Sequence, residues 1–238
     1  MTDAHTHVVR GEERAFLCSP TDAAARPGDV VFYGRHPWEF LPEGAALAPQ
    51  AEFAGDDWLA ALRAKLEADP DAGVGEIGLD RLKVRTVPEA MRSAFAAQLE
   101  LAAELHRPVV LHGAKCWGEV VKEVKGALSR TRSRGGAIPA LLFHGVSRSG
   151  GLIPDIVALN GFISAGPALL NDHAVNYREL VKSIPEERLL VESDATPANA
   201  SDLAPLADIV AKLAELRGRT PDEMASVLDA NAARLRPC

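Results

Sequence analysis

Asp3-Ala-His5-Thr-His7 opens the chain with two imidazoles at a spacing of two, which on a strand project to one side. Four further segments end on residues able to bind a metal: Gly73-Val-Gly-Glu76, Pro108-Val-Val-Leu-His112, Ala140-Leu-Leu-Phe-His144 and Arg188-Leu-Leu-Val-Glu192-Ser-Asp194. Imidazole suits zinc, iron, nickel or manganese, and a carboxylate such as Glu76 can bridge two cations through its two oxygens. His5, His7, Asp194 and one oxygen of Glu76 make a ligand set for one cation. His112, His144 and the other oxygen make a second. A pair of divalent cations activates water and polarises the bond it attacks, so the expected chemistry is metal-dependent hydrolysis. Glu76 and Asp194 are the expected catalytic carboxylates, with Asp194 as general base. Glu192 is placed to support an imidazole from behind or to face the barrel wall.

These residues must be brought to one place by the elements that carry them. Short apolar runs alternating with helical patterns read as buried parallel strands, whose carboxyl ends carry the site in a (β/α) barrel. Candidate strands are residues 2–8, 15–19, 30–35, 73–77, 108–112, 140–144, 161–165 and 189–194. Helical patterns lie at Asp56 to Asp69, Pro88 to His106, Gly118 to Arg130, Asn176 to Ile184 and Leu203 to Arg217. Thr220-Pro-Asp-Glu223 is a capping box that starts a tail helix. Ser129 to Gly136 and Pro42 to Gly55 read as exposed loops. The expected fold is an α/β, TIM-type (β/α)8 barrel forming a single domain over residues 1–238. Its first βα unit is abridged or distorted, because Val8 to Arg14 is shorter than the roughly dozen residues that a parallel crossover needs. Either the first helix is deleted, or Arg10-Gly-Glu-Glu turns the chain back as a hairpin.

Composition narrows the classes of function. Charged residues at 25% and apolar residues at 47% are ordinary for a globular protein, and no apolar run suits a membrane span. A start rich in Asp and His lacks the pattern of a signal peptide, so the expected location is cytoplasmic, with no membrane partner. Cys18, Cys116 and Cys238 are odd in number and widely spaced, which argues against disulfides and a zinc knuckle. A net charge of −7 opposes a broad grip on duplex nucleic acid, while a strand end in a pocket or a small substrate stays open. Arg35, Lys115 and Arg148, with Arg81, are the loop cations expected at the mouth. His36 either contacts substrate or packs behind the site.

Six segments together resemble the TatD family of metal-dependent hydrolases: Asp-Ala-His-Thr-His at 3–7, Gly-Arg-His-Pro-Trp at 34–38, Gly-Glu-Ile-Gly-Leu-Asp at 75–80, Pro-Val-Val-Leu-His at 108–112, Leu-Leu-Phe-His-Gly at 141–145 and Leu-Leu-Val-Glu-Ser-Asp at 189–194. Asn231-Ala-Ala-Arg-Leu is similar to the family's last helix. The resemblance implies a TIM barrel of the amidohydrolase superfamily and a deoxyribonuclease, often a 3′-to-5′ exonuclease, using magnesium, manganese or zinc. It places ligands at His5, His7, Glu76, His112, His144 and Asp194. The chain departs from the family at Ala114, where an Arg is usual and Lys115 follows. It departs also at Ser193-Asp-Ala-Thr, where Thr-Asp-Ala-Pro is usual, and at Arg81, where an aromatic is common. The short span from His7 to Ala15 resembles a shorter bacterial branch.

The leading expectation is a phosphodiesterase acting on single-stranded DNA or nucleic-acid ends with two divalent cations. The same site acting on small esters, lactones or amides is the alternative, and a metal-binding protein without turnover is the third. The residues leave the native metal and the oligomeric state open.

Overall fold

The computed structural model describes residues 1–18, 25–48, 51–133 and 139–237. Eight strands form one parallel sheet in chain order: β1 Thr2–Thr6, β2 Arg14–Cys18, β3 Val30–Tyr33, β4 Gly73–Asp80, β5 Val109–Ala114, β6 Leu141–Phe143, β7 Gly161–Ala165 and β8 Leu189–Val191. Among the described residues seven α-helices follow the same order: α1 Trp58–Ala68, α2 Glu89–Glu104, α3 Trp117–Ser133, α4 Ile153–Ala158, α5 Val175–Ser183, α6 Leu206–Arg217 and α7 Pro221–Ala233. The result is a nearly closed barrel with helices around it. Among the described residues no helix is long and apolar enough to cross a membrane.

Alternation along the strands decides which side chains face the site. Val109 and Leu111, Leu141 and Phe143, Ile163 and Ala165, and Leu189 and Val191 all pack into the core shared with the helices. The alternate residues on the same strands, Val110, Leu142, Phe162 and Leu190, join Phe16 and Phe32 in a second cluster. A period of two therefore carries His112, His144, Ser164 and Glu192 to the same side as that second cluster, at the carboxyl ends of the strands.

The seam between β1 and β8 is joined just beyond the end of β8. The Asp194 N–H donates to the His5 carbonyl at 3.0 Å, and the His7 N–H donates to the Ala195 carbonyl at 2.8 Å. Buried Asp3 adds a third tie, its Oδ1 accepting the Ser193 N–H at 2.9 Å. Burial pushes the Asp3 carboxyl up to about 7 despite that bond.

Several expectations change. β1 and β2 pair in parallel with no helix between them, so the first helix is deleted and the hairpin is excluded. The chain from Ser129 to Ser133 is helical, extending α3, because Leu128 and Ala127 anchor that turn in the core. Residues 134–136 of that expected loop, residue 19 of the second expected strand, residues 49 and 50 of the earlier loop, and Cys238 lie outside the described residues. α4, a six-residue helix with Pro154 in its first turn, was not anticipated.

Candidate functional site

Glu76 is the centre of the site. It is 2% exposed, and its two oxygens face different imidazoles. Oε1 lies 2.5 Å from both His112 Nδ1 and His144 Nε2, which are themselves 3.3 Å apart. Oε2 lies 3.4 Å from His7 Nε2 and 3.6 Å from His5 Nε2. Asp194 Oδ1 stands 3.4 Å from His5 Nε2, and its side chain is half exposed. The six residues expected as ligands are thus brought into one cluster.

The chain prepares these side chains from behind. The His7 Nδ1–H donates to the Cys18 carbonyl on β2 at 3.0 Å, which leaves the Nε2 lone pair for the cluster. His112 is held at its far nitrogen by Asp80, whose Oδ2 lies 2.8 Å from Nε2. Gly78 makes this approach possible: it pairs with His112 at φ 151°, and a Cβ there would lie 2.0 Å from the His112 carbonyl oxygen. Glu192 accepts the Gly145 N–H at 2.9 Å and the Ser164 hydroxyl at 2.5 Å. Its 3.8 Å separation from His144 Nδ1 is too long for a hydrogen bond, so it fixes the loop that carries His144 and acts on the ring through charge.

The electrostatics follow from burial and mutual proximity. Burial opposes ionisation of Glu76, but the neighbouring His144, His112 and His5 imidazoles outweigh it and hold the carboxyl well below its usual range. Burial likewise opposes protonation of His144, and the charges of Glu76 and Glu192 override it, holding that imidazole well above its usual value. His5 goes the other way, lowered by burial and by His144. Asp194 is lowered, because its interaction with the nearby His5 exceeds the effect of burial.

This donor set fits divalent cations. His5 is completely buried, and neither of its ring nitrogens has a hydrogen-bond partner. Buried polar atoms are nearly always satisfied, so paired lone-pair donors left open around a carboxylate suit an ion. Donor atoms within 4.8 Å of one another group as His5, Glu76 and His144, as His5, His7 and Asp194, and as His36, Glu76 and His112. His36 differs from the others. Its Nδ1 accepts the Trp38 N–H at 3.1 Å and burial lowers its pKa to about 4, so the neutral ring carries its proton on Nε2, 3.9 Å from Glu76 Oε1. It therefore offers the cluster a hydrogen-bond donor, not a lone pair.

A cleft of about 930 Å³ opens over the cluster, lined by His112, His144 and Asp194 and by Arg81, Lys115 and Arg148. Lys115 and Arg148 are exposed, and no ion pair engages either among the described residues. Both adopt left-handed φ values, 57° and 56°, as does Asp194 at 50°, a strained conformation that collects at functional sites. Arg81 pairs with Glu119 at 3.2 Å. Arg35 is a correction: its Nε donates to Glu39 Oε2 at 2.7 Å, and its guanidinium lies over the rings of Phe40 and Trp58 at 4.5 and 5.3 Å. The pairing four residues ahead turns it into its own segment and away from the cleft. Asp80 and Gln98 were missed. Gln98, buried on α2, accepts the Arg35 N–H at 2.7 Å and donates to the Arg35 carbonyl at 3.2 Å, which places His36. Asp80 was legible, since it stands four residues after Glu76 on the same strand; Gln98 had no such signal.

The sequence profile described as TatD related DNase matches residues 20–236. The chain is 31% identical over 174 residues to the 3′-5′ ssDNA/RNA exonuclease TatD of Klebsiella pneumoniae (strain 342), covering 68% of this chain and 64% of that relative's length. It is 30% identical over 233 residues to the 3′-5′ ssDNA/RNA exonuclease TatD of Erwinia tasmaniensis, covering 92% of this chain and 86% of the relative. Its fold superimposes on the crystal structure of YjjV, a TatD homologue from Escherichia coli K12, with a TM-score of 0.77 at 22% identity, over 100% of this chain and 98% of the other. The chain belongs to the TatD related DNase family.

Proposed function

We propose that this protein is a divalent-metal-dependent phosphodiesterase that removes nucleotides from the 3′ end of single-stranded nucleic acid. The observation that carries the reading is Glu76, one oxygen against His112 and His144 and the other facing His5 and His7. This division suits two cations: His5, His7, Asp194 and Glu76 would hold one, and His112, His144 and Glu76 would hold the other. Bound there, they supply Lewis-acid polarisation of the phosphoryl group and lower the pKa of water to about 7. Asp194, ionised at neutral pH and with an oxygen open to the cleft, takes the proton of the attacking water. The His36 Nε2–H donates to a substrate oxygen, while Lys115 and Arg148 hold phosphate, the first as a point charge and the second with a planar fork. The relatives' named activity, 3′-5′ exonuclease on single-stranded DNA and RNA, supports the same substrate class.

A small ester, lactone or amide is the second reading. Ala114 favours it, leaving that part of the cleft wall without the guanidinium the resemblance implies. The two unpaired cations beside it weigh for an anionic substrate. Protein stripped of metal and then given magnesium, manganese or zinc is expected to release mononucleotides from a 3′-labelled single-stranded oligonucleotide, and His112→Ala to abolish that release. Stoichiometric metal binding without release from any oligonucleotide would reject the nuclease reading in favour of small esters.

A further inference from the structure

A second cleft, of about 600 Å³, lies beside the first, walled by the loops that follow β6, β7 and β8. The two clefts share Gly145, Ser147, Arg148 and Asp194, so the Asp194 carboxylate sits at their junction. Their charge differs. The larger cleft gathers Arg81, Lys115 and Arg148, whereas the smaller has only the shared Arg148 as a strong cation, with Glu192 and Asp194 opposing it. Three large hydrophobic side chains are exposed among the described residues, and two of them mark these clefts: Leu82, 50% exposed, lines the larger, and Val175, 59% exposed, lines the smaller.

We infer that the larger cleft carries the body of the strand and the smaller cleft, lined by His173, Val175 and Asn176, receives the terminal nucleotide that is cut off. This inference rests on the nuclease reading. A strand brings one negative charge per nucleotide and needs the cationic channel, and the apolar side chain of Leu82 offers a base a surface to pack on. A single nucleotide suits the smaller cleft, whose size lies within the range of about 300–1,000 Å³ of small-molecule pockets. Weak positive charge there favours release of the product. In the cut, water delivers its hydroxyl to phosphorus, the bond from phosphorus to the 3′-oxygen of the penultimate sugar breaks, and that oxygen takes up a proton. The phosphate thus leaves on the terminal nucleotide, beside Arg148 at the junction.

The test is kcat/KM on single-stranded oligonucleotides from two to six residues, with inhibition and calorimetric binding by deoxyadenosine 5′-monophosphate. His173→Ala/Asn176→Ala and Lys115→Ala alter exposed side chains, and circular dichroism checks that each variant folds. Lys115→Ala is expected to flatten the rise of kcat/KM with length and to lower the salt slope by about one. The double variant is expected to keep the rise but to weaken mononucleotide binding about tenfold. The reverse pattern, or mononucleotide binding unchanged in the double variant, overturns the assignment while leaving the nuclease reading standing. Absence of release by the wild-type enzyme with any metal overturns both.

Discussion

His112 is gripped at both ring nitrogens, by Glu76 within the cluster and by Asp80 behind it. Asp80 is 1% exposed, and its other oxygen accepts the Leu82 N–H at 2.5 Å, so the carboxylate cannot turn away. Partners of this kind orient a ligating imidazole and raise its basicity, and their loss costs about 10–100-fold in metal affinity. Asp80→Asn keeps the shape and removes the charge; calorimetric titration of the stripped protein should register a loss in that range, and undiminished affinity would mean that Asp80 only fills space. The thiols are inert for a different reason: burial opposes the charged form, and at Cys116 it outweighs the nearby Arg81 and Arg92. Burial pushes Cys116 up to about 12 and Cys18 well above its usual value. At pH 8 a group titrating near 12 is about one part in ten thousand thiolate, so iodoacetamide should leave both unmodified in the native protein and modify both after unfolding. Labelling of either in the folded state would contradict that burial. The cluster was legible because Glu76, His112, His144 and Asp194 close strand-like runs, while His5 and His7 share the spacing of two that puts them on one side of a strand. Arg35 was misread because a loop cation after a strand looks the same in sequence whether it faces a cleft or the rings of Phe40 and Trp58.

The elements depend on a few polar contacts as much as on apolar burial. Asn231, 4% exposed on α7, donates to the carbonyls of Glu186 and Leu189 at 2.8 and 2.9 Å and so fixes the chain as it enters β8. Asn231→Ala leaves both acceptors without this donor, at a cost of about 2 kcal/mol, and should lower Tm by about 4–8 °C. A melting curve unchanged from wild type would show that water replaces the amide without loss. The tail helix itself was readable, since the Thr220 and Glu223 side chains form the capping box their spacing announces. The eight strands were readable for the same kind of reason: buried parallel strands are nearly continuous apolar runs, and their deletion-marked first crossover is simply too short for a helix. What escaped was decided by tertiary packing. The Ser129–Ser133 turn of α3 has Ser, Arg and Thr, poor or exposed residues that mimic a loop, and α4, with six residues, is too short for an apolar period of 3.6 to repeat.

In the whole barrel, the cluster spans the closure. His5 belongs to β1 and His7 follows it, Asp194 follows β8, and Glu76, His112 and His144 come from β4, from β5 and from the end of β6. The β1–β8 seam has no regular ladder pairing, unlike the seven neighbouring pairs, and leans on the bonds from Asp194 and His7 together with Asp3. A cation shared by His5, His7 and Asp194 would tie the two sides of this seam, so metal should stabilise the fold as well as serve the reaction. At a free concentration one hundred times Kd, it contributes about 2.7 kcal/mol, and chelation should lower Tm by about 5–10 °C. Hydrogen exchange locates the effect. On chelation the Asp194 and His7 amides should lose more protection than the amides of the β5–β6 ladder, because the seam opens without its tie while the ladder keeps its backbone bonds. Equal loss in both places would mean that the cations stabilise the barrel globally and that the seam is held by its hydrogen bonds alone.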